Sequence, residues 1–168
     1  MQRTRFADQP CSLARSLDAV GEPWSFLILR NVFYGIRRFD PLRRSLGISR
    51  KVLAERLGTL VERGILERRE YQNRPPRSEY RLTPMGVDLF PVMMTLSRWG
   101  DRWLAGPAGT PLHFRHRRCG QLSPARVVCA CGEELGAHNV QPVRGPGAEV
   151  EFTHAIESGA GRQVFEKS

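Results

Sequence analysis

At Gly64 the apolar period of this chain changes. Before it, hydrophobic residues recur at the three- and four-residue spacing of helices; after it they alternate as in strands. Ile65–Tyr71 and Ser78–Leu82 read as two short strands, with Tyr80 and Leu82 on one face. The segment between them, Gln72-Asn73-Arg74-Pro75-Pro76-Arg77, is polar and basic, and its two prolines cannot donate to a sheet ladder. It must be the tip of a hairpin.

The helices ahead of the switch are short and punctuated by glycine. Leu13, Leu17 and Val20 mark one face of a helix over 12–20, ended by Gly21. Glu22-Pro23 suits a second start, because an early proline lacks only an N–H that would have no helical partner. That helix, about Trp24 to Tyr34, is apolar nearly all round and is expected to be the central buried one. Asp40-Pro41 opens a third helix to about Leu46, stopped by Gly47. Ser49 caps a fourth, which runs to Arg63 with Leu53, Leu57, Leu60 and Val61 in one stripe. Two short helices joined by Gly47-Ile48-Ser49 make a helix-turn-helix, and the basic hairpin that follows makes a wing.

Thr83-Pro84 is expected to start a long helix through Leu104, kinked at Pro91. Its apolar residues Phe90, Met93, Leu96, Trp99 and Trp103 exceed what a terminal helix of a small domain buries, so part of the stripe is expected to form a dimer seam. Gly106-Pro107-Ala108-Gly109 is a linker by composition. Beyond it lie short β-like pieces near Leu112–His116 and Ala125–Cys129, and a last strand with Val150 and Phe152 alternating. The expected class is therefore mainly α with a small β part. The expected division is a winged helix-turn-helix domain over 1–105, a small β-rich appendage over 110–154 and a polar tail over 155–168.

Charge follows the same division. Of a net charge of +9, residues 1–106 hold 19 Lys and Arg against 11 Asp and Glu, while residues 107–168 hold 7 against 6. A basic domain attracts polyanions by neutralising phosphates and releasing counterions, which points to double-stranded DNA for this architecture. Arginine supplies nearly all of it, since the only lysines are Lys51 and Lys167. No apolar run is long enough to cross a bilayer, and Arg3, Arg5 and Asp8 leave no signal-like start, so a cytoplasmic protein is expected.

The ordered landmarks of residues 11–103 resemble the HxlR-type winged helix regulators, which stand close to the MarR regulators. They are Cys11, Gly21-Glu22-Pro23-Trp24, Gly35 with Arg38-Phe39, Ile48-Ser49, Leu53 and Leu57, and Gly64-Ile65-Leu66. Pro75-Pro76-Arg77-Ser78-Glu79-Tyr80-Arg81-Leu82-Thr83 and the Pro91…Trp99 helix complete the set. Pro23 stands where the family commonly has lysine. The resemblance implies a homodimer with its second motif helix in the major groove and its wing on the backbone. It also implies regulation of nearby genes, often in response to small molecules or oxidants.

Ser49, Arg50 and Lys51 begin the recognition helix, the end that reaches base edges and phosphates in this motif. Ser49 also has a capping role, and Arg56 could either reach phosphate or pair with a glutamate of its own helix. Arg74 and Arg77 are the strongest phosphate candidates, because no packing argument puts two arginines beside two prolines. Arg37 and Arg38 are further backbone candidates, Arg38 having an equal claim to bracing the Gly35 turn. Trp24, Phe26, Phe33 and Phe39 read as core, with room for a ligand pocket between the buried helix and the long one.

Cysteine use adds two expectations. His116-x-x-Cys119-Gly120 resembles the first knuckle of a zinc ribbon, and Cys129-x-Cys131-Gly132 a shortened second one, so these four could hold zinc. His113 or His138 could stand in for His116, and the one-residue spacer equally fits a degenerate ribbon with free thiols. Cys11 lies where some members of the resembled family carry a regulatory thiol; a helix N-terminus and Arg15 would both favour its thiolate, which makes it a redox-sensor candidate.

No dinucleotide fingerprint, phosphate loop, deaminase zinc motif or nucleophile elbow occurs, so an enzyme is not expected. The strands carry no aromatic platform for RNA. The alternative to a regulator is an adaptor that uses the ribbon-like tail and has lost DNA binding.

Overall fold

The computed structural model describes residues 6–74, 76–143 and 145–147. Pro75, the strand expected around Val150 and Phe152, and the tail over 155–168 lie outside the described residues. The elements run α1 (Ser12–Val20), α2 (Pro23–Phe33), α3 (Phe39–Leu46), α4 (Arg50–Glu62), β1 (Leu66–Asn73), β2 (Pro76–Leu82), α5 (Pro84–Val87) and α6 (Phe90–Leu104). The protein is mainly helical with one two-stranded antiparallel sheet.

The chain divides into two compact units, one of residues 16–125 and one of residues 1–15 with 126–168. The division falls after Ala125, inside the segment 110–154 that composition had set apart, so residues 106–125 go with the winged helix.

Within residues 16–125, α2 touches α3, α4, α6 and β2. Its Ile28, Leu29 and Val32 are buried with Leu42 of α3, Leu53, Leu57 and Leu60 of α4, and Ile65 and Leu66 at the entry to β1. Each such side chain contributes roughly 1.5–3 kcal/mol by leaving water, so these contacts set the angles of α3 and α4. Gly47 turns the chain between them at φ 66°, a left-handed conformation that favours glycine. Ser49 then caps α4, its Oγ accepting from the Val52 N–H at 3.2 Å. Arg63 closes the end of α4 by donating to the backbone oxygen of Asp18 and, at 3.1 Å, to its carboxylate.

The hairpin pairs Leu66 with Leu82 at its base and Asn73 with Pro76 near its tip, with a bulge between Glu70 and Gln72. Both strands run two residues further toward the tip than the prolines suggested. Pro76, as the first residue of β2, sits where a strand tolerates a missing donor.

The long helix expected over Thr83–Leu104 is two helices. Thr83 caps α5 by accepting from the Gly86 N–H at 3.2 Å while its hydroxyl faces the Gly64 oxygen at 2.6 Å, which ties the wing to the next helix. The chain turns at Asp88–Leu89 and restarts as α6. Pro91 lies in the first turn of α6 instead of kinking a continuous helix, because there it forfeits no hydrogen bond.

Two glycines in helices make opposite demands. A Cβ at Gly86 would run into the Ile65 carbonyl oxygen, whereas one at Gly58 meets nothing within 4 Å. Gly86→Ala is expected to lower unfolding free energy by about 1–3 kcal/mol, and Gly58→Ala to raise it by up to about 1 kcal/mol. Urea unfolding of the two variants checks both signs.

Candidate nucleic-acid interface

Burial of the leucine stripe leaves Arg50, Lys51, Ala54 and Glu55 exposed on α4. Arg50 pairs with Asp40 at 3.5 Å and lies over the Phe39 ring, its guanidinium carbon 5.5 Å from the centroid. Such an exposed pair contributes at most about 1 kcal/mol, so Arg50 can exchange Asp40 for phosphate or a base edge at little cost. Lys51 is exposed and has no ion partner among the described residues. Ser49 is exposed with its oxygen engaged in the cap, which leaves its hydroxyl hydrogen to donate.

Arg56 is placed differently. Its side chain is only 17 % exposed, held 3.3 Å from Glu22 at the start of α2 and 3.6 Å from Glu55. Of the two roles open to it in the sequence, the geometry matches the internal pair: it braces α4 against α2, and its charge is spent inside the unit. Glu22, the long-range partner, is the residue that precedes α2, and helical spacing alone gives no sign of it.

At the wing, Arg74 and Arg77 are both exposed, and the Gln72 side chain donates to the Arg74 carbonyl at 2.9 Å, shaping the tip. Arg38 lies 4.4 Å over the Tyr71 ring, and its backbone bridges to Glu79 of β2. The Arg37 carbonyl accepts from the Tyr80 N–H at 2.7 Å. The loop before α3 thus clamps the wing root. Arg81 donates to Glu79 at 2.6 Å and, with the charges of Arg37 and Arg38, holds the Glu79 carboxyl below its usual range. Glu79 therefore stays ionised at neutral pH, and its pair with Arg81 is lost only as pH falls through that lowered value.

Arg44 on α3 and Arg68 and Arg69 on β1 are also exposed and did not stand out in the sequence. Their signal was the local charge count, which cannot separate outward arginines from bracing ones such as Arg56 and Arg63.

The stripe on α6 is split. Met93 is 6 % exposed and belongs to the unit's own interior, and Phe90 stacks between Phe33 at 5.0 Å and Phe114 at 5.9 Å. All five were candidates for the dimer seam, with part of the stripe left to core packing; the structure uses these two in intrachain packing, because their turn of α6 faces α2 and the segment that returns along it. Leu96, Trp99 and Trp103 remain outward, 51 %, 55 % and 63 % exposed.

The cysteines lie on separate features. Cys11 is half-buried just before α1. His116 and Cys119 face each other across a tight turn, Nδ1 to Sγ 3.2 Å, closed by the Arg115–Leu122 bridge. Cys129 and Cys131 occupy a second turn, closed by the Val128–Glu134 bridge, where hydrogen bonds from the Cys131 backbone and thiol lower the Cys129 pKa. Among the described residues of neither unit do three or more His, Cys, Asp or Glu side chains gather as metal ligands. His113 and His138 are exposed, His113 in the segment that returns along α6 and His138 beyond the second turn.

Residues 19–107 match the model of the HxlR-like helix-turn-helix family. The chain belongs to this family. It is 49 % identical over 142 residues to an uncharacterized HTH-type transcriptional regulator of Mycobacterium tuberculosis H37Rv, covering 84 % of this chain and 90 % of that one. A Synechocystis HTH-type regulator is 39 % identical over 95 residues, covering 56 % of this chain and 70 % of its own. Among solved structures, the transcription factor candidate PA1607 superposes with a TM-score of 0.76 at 34 % identity, over 84 % of this chain and 100 % of its own. The reduced form of the redox regulator HypR gives 0.52 at 30 % identity, over 55 % and 92 %. These relatives are named as regulators of transcription or redox regulators, and the exposed helix-turn-helix with its basic wing is that of a DNA-binding regulator. No helix among the described residues is long and apolar enough to cross a membrane.

Proposed function

We propose that this protein is a sequence-specific transcriptional regulator that binds duplex DNA as a homodimer. The observation that carries the reading is the division of arginines between outward and inward positions. Arg50 and Lys51 at the start of α4, and Arg74 and Arg77 at the wing, project outward, as Arg44, Arg68 and Arg69 do, whereas Arg56 and Arg63 are consumed by internal pairs. An outward helix start suits the major groove, where arginine and lysine read guanine edges, and an outward basic hairpin suits the phosphates alongside. The dimer follows from α6: Leu96, Trp99 and Trp103 form an apolar stripe that one chain leaves in water, and a two-fold partner would cover it with the same residues.

Two cysteine roles belong to the same proposal. Cys11 is a candidate oxidant sensor, supported by its partial exposure at a helix start and by the likeness to a named redox regulator. His116 and Cys119 in one turn, and Cys129 and Cys131 in another, are candidate zinc ligands on the chemistry of their donors, since structural zinc takes four such groups.

DNA fragments recovered from a genomic library by the purified protein should share a two-fold symmetric site. On such a site, Arg74→Ala with Arg77→Ala should weaken all sequences alike and reduce the slope of log affinity against log salt by about 2. Arg50→Ala or Lys51→Ala should instead erode discrimination, by roughly 1–3 kcal/mol for a lost bidentate base contact. Wild-type ratios of specific to random binding in both would remove α4 from base reading. Trp99→Asp should sediment as a folded monomer, and a folded dimer would move the interface off α6. Mild oxidant should release DNA from wild type and not from Cys11→Ser. About one zinc per chain, lost in Cys131→Ser with DNA binding intact, is the expected metal analysis.

A further inference from the structure

Within residues 16–125, a cavity of about 450 Å³ opens between α2, the last turn of α3, α6 and the segment 111–114. Small-molecule sites occupy about 300–1,000 Å³. Its apolar wall is Ile36, Leu112 and Phe114, the last fixed edge-on to Phe90. Its floor is polar and already organised. Asn31, 2 % exposed, donates from Nδ2 to Ser45 Oγ at 3.0 Å and accepts at Oδ1 from Arg30 Nε at 3.1 Å and Nη2 at 3.0 Å.

Those two bonds pin the Arg30 guanidinium by one edge. Its Nη1 has no hydrogen bond among the described residues and belongs to a group that lines the cavity. A pinned arginine loses little freedom when it binds a carboxylate, and the charged hydrogen bond offsets the desolvation of a small anion. The hydroxyls of Tyr34, Ser45 and Ser97 add donors. Asp101 is the one carboxylate of the lining, and a neighbouring cavity of about 340 Å³ that shares it also carries Arg98, Arg102 and His113. Within the cavity's own lining Arg30 and Asp101 balance, and the excess of positive charge comes from Arg98 and Arg102 beside it.

We infer that the cavity is a binding site for a small organic carboxylate with an aromatic or branched apolar body. The carboxylate lies on Arg30 and the body packs against Leu112 and Phe114. The floor it touches is the Asn31–Ser45 bond, which joins α2 to the helix that leads into Gly47 and Ser49, so the ligand sits against the helix-turn-helix itself. The inference rests on no DNA contact and is read in free protein, so its failure and that of the DNA-binding proposal are separate events.

Calorimetric titration of the full chain with benzoate, benzyl alcohol and benzylamine tests it. Benzoate should bind saturably and at least about tenfold more tightly than the alcohol, with the amine weakest. Arg30→Gln should cost benzoate at least about tenfold. Because Arg30 also supports Asn31, a second variant, Ser97→Trp, fills the space from the exposed side of α6 and should abolish benzoate binding while leaving thermal unfolding in place. Absence of saturable benzoate binding, binding undiminished in Ser97→Trp, or a preference for benzylamine through Asp101 would each overturn the assignment.

Discussion

The burial of α2 aims everything that projects from residues 16–125. Because this helix is apolar on nearly every side, it can be the common floor for α3, α4, α6 and the base of the hairpin at once. The leucine stripe of α4 has one place to go, and its opposite face is then presented outward. The same burial makes the unit intolerant of change beneath that face: removing a fully buried leucine such as Leu53 or Leu57 costs about 2–5 kcal/mol, a large fraction of the stability of an ordinary domain.

Around that floor, polar contacts do narrower work. Arg56 to Glu22 and Arg63 to Asp18 join helices that are distant in sequence, and both are partly shielded from water, which keeps them from the near-zero value of exposed pairs. The wing is held toward its base by the Arg37 carbonyl and by Thr83 against Gly64, and nearer its tip by Arg38 over Tyr71. At its tip Gln72 donates to the Arg74 carbonyl, and Arg74 and Arg77 are exposed. An exposed basic tip on a held hairpin suits contact with a phosphate backbone, whose position is general and whose local shape varies with sequence.

The segment after α6 changes the picture of one domain with a separate appendage. Phe114 extends an aromatic series from Phe33 through Phe90, and Arg98 donates to the Ala125 carbonyl at 2.7 Å, so residues 110–125 pack on the winged helix as part of it. The glycine- and proline-rich stretch at 106–109 marks a turn in this chain. Composition reports that backbone bends there, and bends look alike whether the next segment leaves or returns.

The order of elements, the helix-turn-helix and the wing were legible from the sequence because each rests on local chemistry. The change of period at Gly64, the cap at Ser49 and the left-handed turn at Gly47 are decided by the backbone and its nearest neighbours. The roles of individual side chains on those elements were not legible. Arg56 and Arg50 lie on one helix and carry one charge, yet only tertiary packing brings Glu22 to the first and leaves the second in water. Phe90, Met93, Leu96, Trp99 and Trp103 read as a single apolar stripe; the approach of α2 and Phe114 took the first two inside and left the others exposed. Pro91 starts a helix instead of bending one because the chain had already turned at Asp88–Leu89. Period and caps are properties of neighbours in sequence, whereas burial and pairing depend on which distant segment arrives, and that the three-dimensional structure alone decided.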